Sequence, residues 1–117
     1  MAGIYIIQKP ITMSELKKIA EERFGDLVKA AVDVSQKIMA VGGEFHSEEE
    51  NFLMEKNNSR REDTWGINIY PDKPKEEMIE FDSVINLKPA FGNRSRDVEN
   101  PEVKEKIREV VYNLISD

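Results

Sequence analysis

"LVKAAVDVSQKIMAVGGEF", residues 27–45, decides the fold. Two apolar, strand-like runs, LVKAAVDV and KIMAVGGEF, stand on either side of Ser35 and Gln36. A parallel pair needs a crossover of a dozen residues or more, and none fits here. The two runs therefore read as an antiparallel hairpin. Gly42 and Gly43 weaken the end of its second strand or mark a bulge there.

Upstream of the hairpin, IYII at 4–7 is β-branched and aromatic, reads as a short strand, and is ended by Pro10. ITMSELKKIAEERFGD then reads as a helix. Thr12 and Glu15 have capping-box spacing, and Leu16, Ile19, Ala20 and Phe24 share one face. Gly25 is the stop. Downstream, HSEEENFLMEKN reads as a short helix capped by Ser47, with Glu50 three positions on. Its run of glutamates suits a solvated first turn, where the helix dipole favours negative charge. TWGINIYP is an alternating strand, with Trp65, Ile67 and Ile69 on one face and Asn68 and Tyr70 on the other. MIEFDSVINL reads as one more strand. In the last helix Asn100 caps, Pro101 takes the first position, and Val103, Ile107, Val110, Val111, Leu114 and Ile115 form an apolar stripe. The order is β-α-β-β-α-β-β-α. It predicts a two-layer α+β domain over residues 1–117, with a mostly antiparallel sheet of about five strands and three helices over one face.

The 117 residues suffice for one core without staples. There is no cysteine, so disulfides, thiolate metal sites and cysteine nucleophiles are excluded. The apolar run near the N-terminus is too short for a signal peptide, and no segment approaches the roughly 20 apolar residues of a membrane span. A soluble, cytoplasmic protein with no membrane partner is expected. The net charge of −6 disfavours generic nucleic-acid binding, which needs a basic surface.

Two strand ends carry paired polar residues: Glu44 and His46 in GEFHS, Glu80 and Asp82 in EFDS. Residues two apart in a strand point the same way, about 7 Å from each other, so each pair projects two polar groups from one face. His46 is the only histidine, and an imidazole suits proton transfer near neutral pH. It also fits the plain role of the residue before a Ser47-capped helix. As nitrogen and oxygen donors the four residues match no recognised metal spacing, so neither a metal nor a cofactor is implied. FGNRSRDVEN, residues 91–100, adds two arginines to an acidic chain. Arg94 and Arg96 could grip a phosphate or carboxylate with their forked donors. Equally, they could latch onto Asp97, Glu99, Glu80 or Asp82. Tyr70, beside Pro71, reads as a residue lining a cleft or ending a strand. No Gly-rich phosphate loop or nucleophile elbow is present.

The phrases VGGEFHSEEE, EDTWGINIYPDKP, IEFDSVINLKP and GNRSRDVENPEVKEKI together resemble an uncharacterised family of short prokaryotic proteins catalogued only as a domain of unknown function. The resemblance runs from IQKPIT to the last helix. It implies a complete small protein and no particular activity.

These features favour a small binding or regulatory module with a polar, anion-binding site at 44–46, 80–82 and 94–96. Its ligand would be an anionic small molecule or a protein partner. The alternative is a small hydrolase of a phosphate-containing substrate, with His46 as general acid or base. A third reading is an assembly role, as a homodimer through an exposed sheet edge.

Overall fold

A computed structural model describes residues 3–116. Five strands form one sheet: β1 (Tyr5–Ile7), β3 (Val28–Asp33), β4 (Ile38–Val41), β5 (Thr64–Ile69) and β6 (Ile79–Glu80), in the order β1-β4-β3-β5-β6. Every pairing within it is antiparallel. Three helices accompany it: α1 (Met13–Glu21), α2 (His46–Asn57) and α3 (Pro101–Leu114). The fold is thus the expected mostly antiparallel α+β arrangement. Two short strands were not foreseen, β2 (Ile11–Thr12) and β7 (Ile115–Ser116), which pair in parallel beside the helices. Both lie where the apolar pattern continues into an adjacent helix, so periodicity alone assigns them to α1 and α3.

The β3–β4 hairpin sits at the centre and turns through residues 34–37. The buried Asp33 carboxylate shapes the turn by accepting from the Ser35 and Gln36 N–H groups at 2.9 and 3.0 Å. The caps of α1 and α3 are those read from the sequence. Thr12 Oγ1 accepts from Glu15 N–H and the Glu15 carboxylate accepts from Thr12 N–H, while Asn100 Oδ1 accepts from Glu102 N–H.

The layering differs from the expectation. Residues on alternate sides of each strand belong to two separate cores. Ala30, Val32, Met39, Val41, Trp65, Ile67 and Ile69 pack with α1 and α3 in the larger one. Ala31 and Ala40 face the other way, where Leu53 of α2 and Ile85 cover them. Helix α2 therefore lies alone on the opposite face, and the sheet is covered on both sides. The sequence misleads because α2 has no apolar stripe. Its inner face reads His46, Glu49, Glu50, Leu53, all buried. Small residues beneath it, Ala31 and Ala40, let the helix sit close, and Gly66 makes room for Ser83 and Ile85. A Cβ on Gly66 would lie 2.4 Å from Ser83 Oγ.

The segment expected as a long strand from Met78 to Leu87 leaves the sheet after Glu80. Ser83 Oγ accepts from Ile85 N–H and starts a 3-10 turn at Val84–Asn86. Asn86 then stands in for a strand: its Oδ1 accepts from Gly66 N–H at 2.8 Å, and its Nδ2 donates to Gly66 O at 3.0 Å. Asn93 ties the following loop by donating from Nδ2 to the carbonyls of Asn86 and Asp97. Side-chain amides replace a backbone ladder here, which strand patterning cannot foresee.

Candidate functional site

The N-cap of helix α2 lies two residues earlier than its sequence suggests. Phe45 is the N-cap, and Glu48, rather than Glu50, reaches back to accept from Phe45 N–H at 3.0 Å. Glu50 is freed for a different task. Its carboxylate accepts from Arg61 Nη1 at 3.0 Å and from the Thr64 hydroxyl. Arg61 goes on to donate to the carbonyls of Ile85 and Leu87. Close by, Lys88 is only 3% exposed, donates to the carbonyls of Arg61 and Thr64, and rests 3.9 Å above the Trp65 ring. Burial, then the neighbouring Arg61, pushes its ammonium down to about 8. The charged groups of this cluster are all engaged, so it acts as a fastener between α2, β5 and the 83–93 loop.

The start of α2 is less complete. The first N–H groups of a helix have no intrahelical partners, because no turn precedes them. Those of His46 and Ser47 have none among the described residues. They open on a cavity of about 330 Å³ whose lining includes Lys29, Phe45, His46, Asn68, Asp82 and Arg96. The sheet register builds its floor. Lys29 on β3 is opposite Asn68 on β5, and Asn68 is opposite Glu80 on β6, so the three form one row on the α2 face. Lys29 forms no ion pair among the described residues, and its ammonium lies 5.4 and 5.9 Å from the Phe24 and Phe45 ring centres.

His46 is 8% exposed, and its Nε2 lies 2.8 Å from Ile67 O. A carbonyl can only accept, so Nε2 carries the proton and Nδ1 holds the lone pair. Burial lowers the ring's proton affinity below its ordinary value. The Ile67 carbonyl opposes this, Lys29 adds to it, and Asn68 and Asp82 favour the charged ring. Asn68 donates from Nδ2 to Glu80 Oε1 at 2.8 Å, which fixes the orientation of its amide. Its Oδ1 is then buried without a donor.

Of the residues singled out from sequence, His46, Asp82 and Arg96 line this cavity together. Arg96 Nε donates to Asp82 Oδ1 at 2.6 Å, the latch arrangement considered for it. Glu80 and Tyr70 stand one step away, where the Tyr70 hydroxyl donates to Glu80 at 3.2 Å. Burial, then Glu80, raises the Tyr70 hydroxyl above its ordinary value. Glu44 and Arg94 are exposed and do not line the cavity; Arg94 engages Glu99 through its backbone N–H. Lys29 and Phe45 were missed. A single lysine between Val28 and Ala30, in a run otherwise apolar as far as Val32, was the available signal.

A larger open cleft of about 550 Å³ lies between α1, the β2–β7 pair and residues 73–78. Of its lining side chains only Met78 is buried. Among the described residues no cluster of three or more His, Asp or Glu could hold a metal ion, and no helix is long and apolar enough to cross a membrane.

Residues 5–114 match the family described as "Protein of unknown function (DUF5674)", so the chain belongs to that family. No curated protein and no solved structure matches it.

Proposed function

We propose that this member of the DUF5674 family is a small binding module that holds an oxyanion, a phosphate or carboxylate, at the start of α2. The observation carrying this reading is Lys29, a cation without an acidic partner among the described residues, facing a cavity at whose rim two backbone N–H groups are also unpartnered. An oxyanion there would accept from the His46 and Ser47 N–H groups and pair with Lys29. Arg96 adds a second cation, offset in part by Asp82. The apolar rim of Phe45 and Val84 suits the non-polar part of a ligand.

The test is calorimetric titration with inorganic phosphate, sulfate and a panel of phosphorylated and carboxylated metabolites. Binding that Lys29→Ala abolishes and Arg94→Ala leaves intact is expected. Binding insensitive to Lys29 would refute the assignment of the site.

Hydrolysis is the second reading, and the state of His46 favours it. The ring is held by Ile67 O, burial lowers its proton affinity, and Nδ1 keeps a lone pair in a cavity beside a cation. Turnover of a phosphate ester that His46→Ala removes, with binding retained, would move the protein from the first reading to the second.

A further inference from the structure

Asn68 Oδ1 is the one feature of the pocket that an anion does not explain. It is a buried acceptor without a donor, in a residue 9% exposed, and such a group is costly. Exchanging its amide would only move the problem, because Nδ2 serves Glu80. The Asn68 side chain lies beside the His46 ring and favours its charged form. Nε2 is already committed to Ile67 O, so the remaining ring nitrogen, Nδ1, is the group that can supply a hydrogen. Both residues line the same cavity, and in the neutral ring Nδ1 carries a lone pair that offers Oδ1 no hydrogen. Protonated, Nδ1–H donates to Oδ1 and both buried groups are satisfied.

Resting on the anion-binding reading, we infer that the pocket takes up one proton with its oxyanion, and that His46 holds this proton through an Nδ1–H bond to Asn68 Oδ1. The charges around the ring explain why the two events are linked. From β3, Lys29 opposes a second positive charge. From the segment after β6, Asp82 favours it, but that carboxylate is shared with Arg96. Glu80 on β6 is engaged by Asn68 and Tyr70. On α2 itself, Glu49 is turned to Gly43 N–H and Glu50 to Arg61. An oxyanion on Lys29 neutralises the one group that repels the proton and adds a negative charge beside the ring. By reciprocity, a proton on His46 strengthens anion binding by the same factor.

His46 is the only histidine, so its ring resonances report the site without ambiguity. Sulfate is the probe, because its charge is constant between pH 5 and pH 8. The ring is titrated by NMR with and without sulfate, and sulfate affinity is measured across the same range. The expected result is a higher His46 titration midpoint with sulfate, and binding on the order of tenfold tighter at pH 5 than at pH 8. Asn68→Ala should lower the midpoint and shrink the sulfate-dependent rise. Should that variant fail to fold, Asn68→Asp, which keeps the shape and strengthens the acceptor, should raise the midpoint without sulfate. Lys29-dependent sulfate binding with an unmoved His46 midpoint would overturn the coupling and leave the anion site standing. No sulfate binding at either pH would overturn both.

Discussion

The two faces of the sheet are built on opposite principles. Under α1 and α3 the contacts are aliphatic and aromatic: Leu16, Ile107, Val111, Met39 and Ile67 are fully buried and carry no polar side-chain group to satisfy. Under α2 the buried set includes Asp33, His46, Glu49, Glu50, Thr64, Asn68 and Asn86, with only a small apolar cluster around Leu53. Apolar burial stabilises by roughly 25 cal/mol per Å², whereas a buried charge costs several kcal/mol unless paired. The first face should hold the chain folded. The second specifies one arrangement of α2 and the 83–100 loop, and leaves a few groups unfinished at one end. Proteins break the rule of an apolar inner helix face chiefly where function requires it.

The largest effect should come from the apolar face. Ile67→Ala removes a fully buried side chain from the middle of β5 and is expected to cost about 3–4 kcal/mol in chemical denaturation. A loss below about 1 kcal/mol would contradict the division of labour between the faces.

Next comes the fastener under α2. Arg61→Ala leaves the Glu50 carboxylate buried with only Thr64 and frees the Ile85 and Leu87 carbonyls. Because Arg61 is partly exposed, water can replace some of these bonds, and a loss of about 2–3 kcal/mol is expected. Hydrogen exchange should loosen first in the 83–93 loop. Uniform loosening would mean that the fastener is not local.

Glu49 sharpens the comparison through pH. Its side chain is wholly buried, Oε2 accepts from Gly43 N–H at 2.9 Å, and Oε1 has no partner. Burial pushes the carboxyl well above its ordinary value of 4.5. The folded state therefore holds a proton that the unfolded state loses. Stability falls as pH rises above 4.5, by about 1.4 kcal/mol per unit until the folded group ionises. Glu49→Gln removes this dependence, so its advantage over the parent should grow from pH 5 to pH 8 in urea titrations. A constant difference would mean that Glu49 is ionised in the fold.

His46 has the opposite sign. Its proton affinity is lowered, so the unfolded state binds more protons, and stability is lost as pH falls below about 6.5. This is the smallest expected effect, and saturating sulfate should reduce it.

The apolar face was legible in the sequence, and the polar face was not. Helices α1 and α3 announce themselves through Thr12, Asn100, Pro101 and regular apolar spacing, all of which are local signals. The inner face of α2 reads as a solvated acidic turn, because partners such as Arg61, Thr64 and Gly43 are supplied by tertiary structure. The same holds for the site. His46, Asp82 and Arg96 were visible as residue types that do chemistry, and the fold brings them together. Lys29 and the orphan N–H groups of α2 were not visible. One is a single lysine in a mostly apolar strand, and the others are backbone atoms exposed by where the helix starts.

The most direct test of the anion pocket is a backbone amide NMR titration with inorganic phosphate at fixed pH. The His46 and Ser47 amides should shift together and saturate on one binding curve, with Arg94 unmoved and the response lost in Lys29→Ala. Shifts centred on residues 92–97, or spread without saturation over the surface lysines and arginines, would contradict a site at the start of α2.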